Sequence, residues 1–178
     1  MNKIKDEYFI KNFKCYRQKE TWSCAAAAIR SIMNYYGYKV SEKELIYDGG
    51  IDENGASYEQ IKNIVNQYNF TLRSKARGSV DLLKKVLKRG YPVLVNYQID
   101  TINGKNGHYA IVVGIDSRLI HVADTSNYYI WDKYSKFTPV IRMKFATFLK
   151  RWWDADAELP RGRVIGWYGV IKPKDNKK

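Results

Sequence analysis

From Trp22 to Gly37 the chain reads WSCAAAAIRSIMNYYG, and Ala25, Ala28, Ile29, Ile32, Met33 and Tyr36 recur at three and four residues. That is the period of one helix face, and Gly37 supplies the stop. The four alanines at 25–28 leave every face narrow, so this helix is expected to lie buried and central, close against its neighbours. Ser41 with Glu44 and Ser57 with Gln60 have capping-box spacing and predict short helices near 42–47 and 58–68. Ser79 caps another, with Leu82, Leu83, Val86 and Leu87 as its apolar stripe ahead of Gly90. Beyond Tyr91 the period changes. Pro92–Tyr97, His108–Ile115, Arg118–Asp124 and Arg163–Lys172 are rich in β-branched and aromatic residues between turn residues, which predicts strands. The joint Asp116–Ser117 is short enough only for an antiparallel hairpin. Lys144–Trp153 returns to a helical pattern, with Phe145, Phe148, Leu149 and Trp152 on one side. Helices followed by antiparallel strands give an α+β fold class: a helical layer packed on a small curved sheet.

A length of 178 residues fits one domain, taken as 1–172, with 173–178 a basic frayed tail. Hydrophobic residues are 45% and aromatics 15%, which excludes a disordered chain. Two cysteines make no disulfide framework, and a zinc site would have to recruit both histidines as well. Met1–Lys14 lacks the continuous apolar core of a signal peptide, and no stretch approaches the roughly 18 apolar residues of a membrane span. A cytoplasmic location with both thiols reduced is therefore expected.

Charge changes the picture. Lysine and arginine number 31 against 18 acids, a formal +13. The excess is uneven: Arg73–Arg89 carries seven basic residues against Asp81, Lys133–Arg151 six against none, and Glu42–Glu59 six acids against Lys43. Such a field favours acidic partners. Nucleic acid is not the expected one, since zinc-knuckle, RNP-like and recognition-helix patterns are missing from the sequence.

Four residues can carry chemistry together. Cys24 falls in the first turn of the predicted central helix, where unpaired N–H groups and the helix dipole favour a thiolate. A cysteine among alanines also fits as a small buried hydrophobe, which is the only reading for Cys15. Gln18 precedes Cys24 by six positions. An amide held beside a nucleophile can donate to the oxygen of a tetrahedral intermediate, with the Cys24 N–H as second donor; a polar loop residue is the plainer alternative. His108 follows the turn-rich loop 103–107 and opens the most hydrophobic strand, so its ring can face a cleft. His121, between Ile120 and Val122, reads as structural. Folding the hairpin through Asp116–Ser117 brings Asp124 near His108, where it can accept the imidazole Nδ1–H and fix the tautomer. Alternatively, Asp124 starts an Asx turn into Thr125–Asn127.

The ordered set Gln18, Cys24, the run Gly107–Asp116 (GHYAIVVGID) and Asp124, with Phe148 and Trp152 downstream, resembles the papain-like cysteine peptidases. It is most similar to the branch that removes double-glycine leader peptides from bacteriocin precursors, family thirty-nine of the cysteine peptidases, and the likeness runs from about Phe13 to Val170. The resemblance implies a papain-like fold with Gln18 as oxyanion donor, Cys24 as nucleophile, His108 as base and Asp124 as orienting acid. It implies acyl transfer on a peptide bond, with cleavage after small residues such as Gly-Gly, and no metal or organic cofactor. Ser23 and Ala25 stand where the family has Asp and Gly, Thr125 where it has Pro, and the exporter to which many members are fused has no counterpart here. The same triad also serves deamidases, transglutaminases and acyltransferases, and an inactive peptide-binding domain is a further alternative. The expected partner is a peptide or protein substrate, with an acidic or amphipathic segment drawn by the basic surface.

Overall fold

The computed structural model describes residues 7–99, 107–126, 140–155 and 162–174. The central helix is α1 (Cys24–Tyr35), in which Cys24–Ile29 and Ser31–Met33 are buried. The alanine run is what lets it pack on the sheet without bulk. It is flanked by α2 (Glu42–Gly49) and α3 (Tyr58–Gln67). Both predicted capping boxes are present: Ser41 accepts from the Glu44 N–H and Ser57 from the Gln60 N–H, each answered by the reciprocal side chain. α4 (Val80–Lys88) is capped by Ser79 and buries Leu83 and Leu87.

Among the described residues, seven antiparallel strands form the main sheet: β1 (Tyr8–Phe9), β2 (Phe70–Lys75), β3 (Val93–Gln98), β4 (Gly107–Ile115), β5 (Leu119–Ala123), β6 (Val140–Lys144) and β9 (Tyr168–Pro173). Their order is β2-β9-β3-β4-β5-β6, with β1 paired to the far end of β4. β3, β4 and β5 hold the site, and every residue of β3 is buried. The sheet is larger than the sequence pattern indicates because β1, β2 and β6 carry weak signals. β1 has two residues, and β2 and β6 lie on the two edges of the sheet with half-wet, basic sequences, so solvent removes the alternation that marks a strand.

The C-terminal region differs from its pattern at two points. The predicted helix over 144–153 is shorter: Lys144 still belongs to β6, α5 spans Phe145–Arg151, and Trp153 begins β7 (Trp153–Ala155). Leu149 consequently points outward. The single strand expected over 163–172 is two, β8 (Arg163–Ile165), which pairs with β7, and β9. The break falls at Gly166, with φ +64° and so little room that a Cβ there would stand 2.9 Å from the Gly78 nitrogen; only glycine allows that turn. Of the expected tail, Pro173 ends β9 and the Lys174 N–H bonds the Asn69 carbonyl, while 175–178 lie outside the described residues. Among the described residues no helix is long and apolar enough to cross a membrane.

Trp152 closes this region. It is 1% exposed, packs against Phe148 and donates its indole N–H to the Trp167 carbonyl at 2.7 Å. Trp152→Ala is expected to destabilise the fold by about 3–5 kcal/mol, measured by urea unfolding; a loss under about 1 kcal/mol would show that the anchor lies elsewhere.

Candidate active site

Asp124 reaches His108 because of an irregularity in the hairpin. At the turn end β4 and β5 pair Ile115 with Ile120 and Gly114 with His121, but beyond Val113 the register becomes Val112 with Val122 and Ile111 with Ala123. The extra residue is a β-bulge, and a one-residue shift moves every following side chain to the other face. Continued one step, the shifted register sets Asp124 across from Ala110, whose side chain shares a strand face with His108. An unbroken register would oppose Asp124 to Ile111 and turn its carboxyl away from the ring. Hairpin length alone predicts the proximity; the bulge supplies the facing. Its main chain is used, since the Ile10 N–H bonds the Val113 carbonyl as β1 arrives.

The carboxylate is almost fully enclosed. Its Oδ1 accepts from His108 Nε2 at 2.9 Å and from the Ser126 N–H at 2.7 Å, and its Oδ2 accepts from the Tyr97 hydroxyl. The Asx turn and the histidine contact thus occur together. The ring nitrogen differs from expectation: Nε2, not Nδ1, faces Asp124, and Nδ1 is left for the sulfur. Burial works against charge on the His108 ring, but the Asp124 hydrogen bond and the nearby Cys24 side chain outweigh it, and the pKa is pushed up to about 10. For Asp124, burial is likewise overcome by the His108 and Tyr97 contacts, which hold the carboxyl well below the usual range. Geometry therefore favours an imidazolium set between a carboxylate and a thiol.

Cys24 opens α1 directly after Ser23. Ser23 makes no side-chain cap: its hydroxyl donates to Glu42 Oε1 at 2.6 Å, and its oxygen accepts from the Glu20 N–H at 3.1 Å. The first N–H groups of α1 are thus not consumed by a capping side chain. Glu42, 1% exposed, also accepts from the Lys19 N–H at 2.9 Å. It ties the loop before Cys24 to the start of α2. The sequence reading missed it, since Glu42 looked only like an acid in a helix's first turn. Tyr97 was missed for the matching reason: within PVLVNY an aromatic reads as core.

Gln18 is buried beside this loop. Its Nε2 donates to the Glu20 and Thr21 carbonyls at 2.8 and 3.1 Å, and its Oε1 accepts from the Thr125 hydroxyl at 3.2 Å. The Gln18 N–H bonds the Thr125 carbonyl at 2.9 Å. Thr125 therefore clamps the glutamine to the segment that carries Asp124. Cys15 is buried as anticipated, its sulfur 3.6 Å from the Asp124 carbonyl, and desolvation pushes its pKa up to about 12. His121 does not line the cleft that Cys24, His108 and Asp124 share: it pairs with Asp116 at 2.8 Å and meets the Phe9 ring edge-on.

Cys24, His108 and Asp124 line one cleft of about 840 Å³, with Trp22 and Ala56 from the helical side and Tyr97 and Tyr109 from the sheet. Among the described residues no three His, Cys, Asp or Glu side chains stand close enough together to share a metal ion.

Comparison with known proteins agrees with this architecture. The peptidase domain of a Streptococcus ComA, described as a bi-functional ABC transporter involved in quorum sensing, superposes with a TM-score of 0.69 at 19% identity, over 91% of this chain and 99% of that one. A double glycine motif protease from an AMS/PCAT transporter, solved with its leader peptide, gives 0.65 at 14% identity, over 96% and 99%. An uncharacterized protein of Methanothermobacter marburgensis is 29% identical over 112 residues, 61% of this chain and 68% of its own. The sequence profile of the Peptidase C39 like family matches residues 10–157. The chain belongs to that family.

Proposed function

We propose that this protein is a cysteine peptidase in which Cys24 attacks a peptide carbonyl, His108 carries the proton and Asp124 holds the ring. The observation that carries the reading is the convergence of all three on one cleft, with Asp124 fixing His108 through Nε2. His108 takes the thiol proton, and the raised pKa of the ring keeps that proton on the imidazolium while the sulfur attacks. The carbonyl oxygen gains negative charge beside the Cys24 N–H at the start of α1. Gln18 joins as second donor by giving up its longer bond, to the Thr21 carbonyl, for the oxyanion. The imidazolium protonates the departing amine, and water then hydrolyses the thioester. Ser23, Glu42 and Thr125 touch no reacting atom; they position the loop. Cleavage after a small pair such as Gly-Gly is the specificity that likeness to a double glycine motif protease suggests, and a peptide containing that pair is the first substrate to assay.

Incubation of internally quenched peptide libraries with the wild type should give cleavage that Cys24→Ala abolishes. Products released equally by both proteins, or gains of mass without cleavage, contradict the peptidase reading.

The triad also has a pH signature. The raised pKa of His108 contributes stability that is complete below about pH 6.5 and is lost as pH rises through about 10; the lowered Asp124 contributes above about pH 4 and is lost on acidification. Iodoacetamide at about pH 6 should label Cys24 well before Cys15, whose thiol is buried with a pKa near 12. Asp124→Asn removes the charge that favours the imidazolium, so the alkaline limb of the kcat/KM profile, which needs a protonated His108 for the leaving amine, should move down by about one unit or more. An unmoved limb, or equal labelling of both cysteines, counts against the ion pair.

A further inference from the structure

The register of the sheet opposes Tyr97 of β3 to His108 of β4. Their rings lie with centroids 5.7 Å apart and planes at 82°. Directly opposed residues share one face of a sheet, so the phenol follows the imidazole toward Asp124. There the two side chains take different oxygens of one carboxylate: His108 Nε2 holds Oδ1 at 2.9 Å, and the Tyr97 hydroxyl donates to Oδ2. The Ser126 N–H joins His108 on Oδ1. Among the described residues the phenol is thus the one donor to Oδ2.

Packing alone does not call for a phenol here. Every residue of β3 is buried and Tyr97 is 2% exposed, and a hydroxyl in so dry a place is costly unless it is bonded. Burial and the facing carboxylate push its pKa well above the usual value, so it stays protonated and acts as a fixed donor. Two donors on one carboxylate compete for its charge. The Tyr97 contact is accordingly among those that hold Asp124 below the usual range, and a carboxylate with less charge to give grips the ring proton less tightly. That matters because the His108 ring already has its pKa pushed up to about 10 by Asp124 and Cys24. An acid held far above the working pH yields its proton reluctantly.

We infer that Tyr97 is a positioning residue that tempers Asp124: its hydroxyl holds Oδ2, draws carboxylate charge away from Oδ1, and so lets His108 release its proton to the leaving amine. The catalytic consequence rests on the peptidase reading; the effect on the ring does not. The other titratable groups that face this cluster are few. Cys24, at the start of α1, and Arg151, at the end of α5, stand toward the phenol. Cys15 lies behind Asp124, its sulfur 3.6 Å from the carbonyl. Replacing the hydroxyl of residue 97 changes none of them.

The ring itself is the first readout and needs no substrate. His108 is titrated by nitrogen-15 NMR in Cys24→Ala and in Cys24→Ala with Tyr97→Phe, which keeps the ring of residue 97 and removes its hydroxyl. The pH at which His108 titrates should rise by about half a unit or more, with the Nε2 proton further downfield. Site-specific replacement Tyr97→3-fluorotyrosine, a stronger donor of nearly the same shape, should lower it. Lost packing would not give opposite movements, and the fluorinated protein decides alone if Tyr97→Phe does not fold. A ring that stays put, or moves the same way in both proteins, overturns the inference. With Cys24 restored, Tyr97→Phe should lower kcat on a quenched library peptide by about threefold to tenfold, with KM held within about twofold; an unaltered kcat overturns the catalytic role. Opposite movements of the ring in a protein that cleaves no library peptide overturn the peptidase reading and uphold the tempering. Cleavage with an unmoved ring overturns the tempering and leaves the peptidase intact.

Discussion

The site depends on one enclosed carboxylate. Asp124 is 2% exposed and shares its oxygens among His108, Tyr97 and the Ser126 N–H. A charge so buried is tolerated only while its partners stay in place; removing a partner from such a pair costs about 3–5 kcal/mol. The same carboxylate that aims the imidazole therefore also penalises any conformation in which the ring swings out. Its position follows from a bulge at Val113, without which the carboxyl would face the wrong side of the hairpin.

The segment after β5 acts as a hub. The carbonyl of Asp124 meets the Cys15 sulfur, the carbonyl of Thr125 takes the Gln18 N–H, and the Thr125 hydroxyl reaches the Gln18 amide. Through these contacts the sheet holds the loop that leads to Cys24 from one side, and Glu42 holds it from the other through Lys19 and Ser23. Helix start and sheet end are thus fixed against each other by short polar bonds in a dry interior, where each is worth more than at the surface. Ser23 with Glu42 makes one of these ties, and Thr125 with Gln18 the other.

Helices were legible in the sequence because their signals are local. The alanine run, two capping boxes and glycine stops at Gly37 and Gly90 each lie within a few residues. The central strands were legible because both faces are buried, giving unbroken apolar runs. The edge strands β2 and β6 were not, since exposure erases their alternation. Likewise Gln18, Cys24, His108 and Asp124 could be picked out as a spaced set, whereas Tyr97 and Glu42 gain meaning only from neighbours far along the chain. The choice of Nε2 over Nδ1 depends on how the ring is turned in the folded site, which no spacing encodes.

The hold of Asp124 on His108 Nε2, which leaves the other ring nitrogen for Cys24, governs the whole site. It is tested most directly by nitrogen-15 NMR of the imidazole after the Cys24 thiol has been capped as a methyl disulfide, which frees the ring from the thiolate. Once titrated to its neutral form, the His108 ring should keep its proton on Nε2, shifted downfield and protected from exchange by Asp124. A proton on Nδ1, or a ring that exchanges and titrates like a solvent-exposed histidine, would contradict it.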